Sequence, residues 1–144
     1  MNILEDIKKQ HDELMKKNGF VVHYTFPGED SEETNCDYHT HGIKESFGHM
    51  DLQIVLPIDP NIVAPIINSM VSLIKEGERY DDKLISDKVI RGYDVQLVKV
   101  NVRDRELLRV IIPDENGKFP SDKDCAEGYR DQLIDVVSKK ELRN

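Results

Sequence analysis

The sequence predicts an α+β fold, a mostly antiparallel sheet of about five strands packed with three helices. Three observations carry that expectation. Residues 60–76 repeat apolar side chains at helical period, through Ile62, Val63, Ile66, Ile67, Met70, Val71 and Ile74. Residues 51–56 alternate instead, with Leu52, Ile54 and Leu56 on one face of a strand. Residues 93–102 and 107–112 are rich in valine, leucine and isoleucine and flank a charged turn at Asp104 and Arg105, the pattern of a hairpin.

The remaining elements follow in chain order. Residues 2–17 read as an amphipathic helix, with Ile3, Leu4, Ile7, Leu14 and Met15 on one side. Asn2 and Glu5 form a capping-box pattern, Lys16 and Lys17 suit the negative end, and Gly19 marks the stop. Residues 20–26 form a strand that places Phe20, Val22, Tyr24 and Phe26 on one face and Val21, His23 and Thr25 on the other. The stretch 27–36 is an acidic loop holding Glu29, Asp30, Glu32 and Glu33 without a basic residue, and like charges favour mobility there. A second strand is expected at 37–43, followed by a connection that carries Gly48 and His49. Asp59-Pro60 starts the long helix, Pro65 predicts a kink in its first turns, and Gly77 ends it. Residues 78–92 hold one short strand or two. The phase slip from Val95 and Leu97 to Val98, Val100 and Val102 predicts a bulge or burial on both faces. Pro113 to Gly117 is a turn, which also accounts for Asp114, Glu115 and Asn116 without a cation. Ser121 with Asp124 then caps a last helix to about Lys140, bearing Tyr129, Leu133, Val136 and Val137 on its apolar side.

Composition bounds the function. The 144 residues suit a single domain over residues 1–144 with one core, and 38% apolar with 33% charged residues is a globular balance. The net charge of -8 is spread along the chain, so nucleic acid is not an expected partner, whereas a basic protein or peptide is. Cys36 and Cys125 have neither zinc-knuckle nor thioredoxin spacing. The acidic start lacks the pattern of a signal peptide, and no apolar run reaches membrane length. A cytoplasmic location with free thiols, away from membranes, is the resulting expectation.

Reactive side chains concentrate between His23 and Asp51, where four of the five histidines lie. In an extended chain His39 and His41 project from one face, and two imidazoles so placed chelate a divalent transition metal. His49 is the expected third ligand, with Glu45 or Asp51 as an oxygen donor; three ligands and a water support metal-assisted hydrolysis. The competing reading has these histidines bonding backbone groups. His39-x-His41 with Glu45 is also similar to the opening metal motif of cupins, but no histidine follows His49 to supply the second motif. There is no phosphate-binding loop, dinucleotide fingerprint or nucleophile elbow. Cys36 sits among acids that disfavour its thiolate, and Cys125 reads as a small buried hydrophobe. No cofactor is expected beyond a divalent transition metal at the histidines.

The chain also resembles a bacterial family, the domain of unknown function DUF4262. The resemblance rests on His39-Thr40-His41-Gly42-Ile43, Phe47-Gly48-His49-Met50-Asp51-Leu52 and Glu76-Gly77-Glu78-Arg79-Tyr80. It continues in Leu108-Arg109-Val110-Ile111-Ile112-Pro113-Asp114, Gly117-Lys118-Phe119-Pro120 and Gln132. The common form of that pattern has tyrosine at position 39, an aliphatic residue at 41 and proline at 50. Thr40, Gly42, Gly48, His49 and Asp51 are then the shared strand-loop-strand, and the resemblance implies that His39 and His41 are absent from the typical member. The resemblance implies bacterial origin and a small α+β domain, with no reaction attached.

Three functional expectations result. The first is a non-catalytic binding module for a basic protein or peptide, or for a second copy in a homodimer. The second is a metal-binding protein or metal-assisted hydrolase using His39, His41 and His49. The third is a small-molecule pocket between sheet and long helix, anchored by His49 and Arg109, with Thr40 and Asp51 as further binding residues.

Overall fold

The computed structural model describes residues 2–26 and 36–133. The acidic loop, apart from Cys36, lies outside the described residues, as does the expected final helix beyond Leu133. The architecture is α+β, with a six-stranded sheet where about five strands were expected. Its strands are β1 (Val21–Thr25), β2 (Cys36–His41), β3 (Asp51–Leu56), β4 (Ile85–Ile90), β5 (Tyr93–Val102) and β6 (Arg105–Ile111), in the order β1-β2-β3-β6-β5-β4. Only β3 and β6 run parallel. Two local antiparallel units, β1-β2-β3 and β4-β5-β6, are thus joined along a central seam.

The helices are α1 (Ile3–Asn18), α2 (Ile43–Phe47) and α3 (Pro60–Lys75), with a 3-10 helix at Glu127–Leu133. α3 supplies the apolar layer read from its periodicity: Val63, Ile67, Met70, Val71 and Ile74 are buried against Leu52, Ile54, Leu108 and Val110 of the central strands. Asp59 caps it by accepting from the Asn61 amide at 2.8 Å. The helix runs on through Pro65, which lies on the exposed face, where the freed carbonyl one turn back is open to water.

Three expectations at the element level need correction. The second strand stops at His41, because Gly42 turns the backbone at φ 107 and starts α2. The hairpin turn sits one residue earlier than expected, on Arg103 and Asp104 at φ 52 and 63. Paired positive φ values give the twist that antiparallel strands need, and Val102 then pairs with Arg105. Residues 78–92, expected to hold one short strand or two, hold one, β4, whose register against β5 shifts between Ser86 and Ile90. No helix starts at Ser121: Asp122 accepts from the Phe119 amide to close a turn, and helical structure begins only at Glu127.

β5 shows burial on both faces. Val95 and Leu97 join the core under α3, whereas Val100 is buried outside that cluster. Asp114 organises the segment after β6 by accepting from the amides of Asn116, Lys118 and Ala126, which hold its carboxyl below the usual value. Among the described residues, no helix is long and apolar enough to cross a membrane. Cys36 and Cys125 are both free thiols, and burial, then the Asp114 charge, raises the pKa of Cys125.

Candidate metal centre

The site is built by the β1-β2 register. His23 lies directly opposite His39, and Val21 opposite His41. Side chains alternate along each strand, so His23, His39 and His41 share one face. One ring nitrogen from each of the three lies within 4.8 Å of the others. The ring centroids are 4.4 Å apart for His23 and His41, 5.1 Å for His39 and His41, and 5.7 Å for His23 and His39. A fourth ring, His11 of α1, stands 5.4 Å from His23. Nitrogens about 2.1 Å from a tetrahedral zinc are roughly 3.4 Å from one another, so small side-chain rotations suffice to close on a metal.

The electrostatics keep two of these rings neutral. Burial pushes His41 down to about 4, helped by the Arg105 guanidinium and the neighbouring histidines. His23 is lowered by burial, then by His39 and His11. Neutral imidazole is the ligand form. Asp37 Oδ1 stands 3.4 Å from His39 Nδ1, at the long end of hydrogen-bond range, and accepts from Gln53 Nε2 at 3.0 Å. Burial raises the Asp37 carboxyl, but the His39 and Gln53 contacts outweigh it and leave the group below its usual value. A proton on Nδ1 would point at this carboxylate and leave Nε2 as the free nitrogen, the arrangement by which outer carboxylates orient metal-bound imidazoles.

The polar chain continues inward. Gln53 Oε1 accepts from Arg109 Nε at 2.9 Å, and Arg109 Nη1 donates to the Gln132 carbonyl at 2.8 Å. Arg109 is 1% exposed. It therefore supports the outer carboxylate through Gln53 from within the protein. Gln132 also bonds both backbone groups of Ile112, fastening the C-terminal segment to the end of β6.

Thr40 and Asp51 form a separate knot. Asp51 Oδ1 accepts from Thr40 Oγ1 at 2.7 Å and from the Ile43 amide at 3.1 Å, while Thr40 Oγ1 accepts from the Leu52 amide. Arg105 Nη2 closes the knot on Asp51 Oδ2 at 3.1 Å and on the Thr40 carbonyl at 2.8 Å. These bonds tie β2, β3, α2 and β6 together at the end where His41 emerges.

His49, the third ligand expected from sequence, is not brought to the other two. Its Nδ1 donates to the Met50 carbonyl at 2.8 Å, and its Nε2 accepts from the Tyr80 amide at 3.0 Å. Both nitrogens of this buried ring are spent on holding the β3 entry to the chain after α3. The third imidazole is that of His23, whose face was legible but whose pairing was not. A hairpin assumption with trial registers across residues 27–35 is the signal that finds it. His49 lines an 830 Å³ cleft beside α2 and the β5-β6 turn, and Arg109 does not. The space between sheet and α3 is packed core.

Another cavity, of 470 Å³, opens beside the histidine trio. His39 and His41 line it together with Asp37, Gln53, Arg103 and Arg105. No curated protein and no solved structure matches the chain. A family model described as a domain of unknown function, DUF4262, matches residues 14–126, most of the sequence. The chain belongs to the DUF4262 family.

Proposed function

We propose that this protein binds a divalent transition metal through His23, His39 and His41. The observation that carries the reading is the placement of three imidazole nitrogens within 4.8 Å on one sheet face. Imidazole donors suit zinc, copper, nickel and iron(II), and three ligands on a surface leave at least one position open. Water there gains acidity from the metal, which is the requirement for metal-assisted hydrolysis. The outer carboxylate of Asp37 and the two rings kept neutral near pH 7 support the same reading. The test is elemental analysis and zinc titration of protein purified without an affinity tag. One metal per chain is expected, lost in His23→Ala and His41→Ala and retained in His49→Gln. A wild-type protein that takes up no zinc, copper, nickel or iron overturns the reading.

A second reading, an interaction module that pairs with its own copy, is favoured by α1. No residue of α1 is buried, and Ile3, Leu4, Ile7 and Leu14 are exposed. Leu4, Ile7, His11 and Leu14 repeat at coiled-coil spacing. Antiparallel pairing of two copies sets Glu5 and Asp6 of one against Lys16 and Lys17 of the other. Sedimentation at high protein concentration should show a dimer that Ile7→Lys dissociates. A monomer at every concentration ends this reading.

A further inference from the structure

Two of the three proposed ligands, His39 and His41, border a cavity whose other wall is cationic. His39 and His41 line the 470 Å³ cavity with Arg103 and Arg105 at the β5-β6 turn. Arg105 is held by one nitrogen alone: its Nη2 contacts Asp51 and the Thr40 carbonyl. Its Nε and Nη1 make no hydrogen bond among the described residues. The guanidinium is therefore fixed in orientation with donors to spare, which is how an arginine is prepared for an oxyanion. Arg103 stands two residues before it, exposed, at a turn whose backbone is set by positive φ. Among the described residues, the one carboxylate lining the cavity, Asp37, is already engaged by Gln53 and His39. Among the described residues lining the cavity the charge is therefore net positive, on a chain whose net charge is -8.

We infer that the cavity takes a small molecule carrying an oxyanion, a carboxylate or a phosphate, bound jointly by the metal and by Arg103 and Arg105. The inference rests on the metal reading above. One anionic oxygen fills the open coordination position, and a second meets the arginine donors across the cavity. The ligand is small, because His39, His41 and both arginines border a single cavity of 470 Å³. Phe26, Val102 and Leu107 line the same space and give an apolar body somewhere to rest.

The experiment loads the full chain with cobalt(II), whose visible spectrum reports coordination, and titrates inorganic phosphate and acetate separately. Saturable spectral change with either anion supports the proposal, and the anion that binds more tightly identifies the group. Arg103→Gln leaves the turn a residue of similar backbone demand and removes only the charge. It should load cobalt as the wild type does and bind the preferred anion at least five-fold more weakly. Cobalt loading with no anion response, or an Arg103→Gln titration equal to that of the wild type, overturns the oxyanion subsite and leaves the metal centre standing. Failure to load cobalt overturns the joint site, and failure to take up zinc, copper, nickel or iron as well overturns the metal reading beneath it.

Discussion

At the scale of single residues, Asp37 and Arg109 divide the support of the centre between them. Asp37 orients His39, and an outer carboxylate of this kind is worth about 10- to 100-fold in metal affinity. Asp37→Asn should therefore keep one zinc per chain but weaken it by about that factor, read by competition with a chromophoric chelator. An unchanged affinity would mean that Asp37 and His39 interact without consequence for the metal. Arg109 is a different case, because it is buried and touches no ligand directly. Arg109→Ala strands Gln53 Oε1 and the Gln132 carbonyl in the interior. We expect a loss of about 3 kcal/mol in urea unfolding, the magnitude typical of breaking a buried charged network. The arginine was legible in sequence as a polar residue within an apolar strand. Its partners were not, because Gln53 lies 56 residues away.

At the scale of elements, the two glycines at φ 107 and 108 give an internal control. A Cβ at Gly42 would lie 2.7 Å from the Gly19 carbonyl and 2.7 Å from Met15 Cε, whereas one at Gly77 meets nothing within 4 Å. The backbone penalty of a positive φ is about 1–3 kcal/mol and is shared by both sites. Gly42→Ala should therefore destabilise more than Gly77→Ala, by about 1 kcal/mol or more, since only it forces α1 away from β2. Equal denaturation midpoints would show that this contact relaxes freely. The same scale explains what could be read in advance. α3 and β3 were legible because a cap, a proline and an apolar period agree over the whole element. α2 was not, because five residues, Ile43–Phe47, are too few to establish a period. The 3-10 helix escaped because Ser121 and Asp124 imitate a cap in a segment that Asp114 and Asp122 hold in turns. The histidine face failed in one member for a related reason. His39 and His41 are fixed by alternation within one strand, but His23 arrives through a pairing that no tight turn specifies.

At the scale of the whole molecule, the titrating groups set the response to acid. His23 and His41 resist protonation in the folded state, so the unfolded chain binds protons first as pH falls below about 6.5. Stability should decline from there toward about 4, where the folded His41 itself takes its proton. Asp37 and Asp114 are shifted below their ordinary value, and their contribution is lost in turn at lower pH. Urea unfolding across this range should show a decline above pH 4 that His41→Leu reduces. A flat profile between pH 7 and 4.5 would contradict the burial of that ring. On the proposed metal reading, saturating zinc should steepen the decline, because a bound metal would stabilise the neutral trio and dissociate as the ligands protonate.

The single parallel seam has a consequence for how the chain is assembled. β1, β2 and β3 lie before α3, and β4, β5 and β6 after it, and each trio closes through neighbours in sequence. Besides the packing under α3, the two trios meet through the β3-β6 contact, the Arg109–Gln53 bond and the contacts of Arg105 with Thr40 and Asp51. A backbone break placed in the exposed 81–84 segment would therefore yield two pieces, each with its own meander, that recombine along β3 and β6. The histidine trio would reside wholly on the first piece and the two arginines on the second, so metal uptake and anion capture would be separable by scission and restored by mixing.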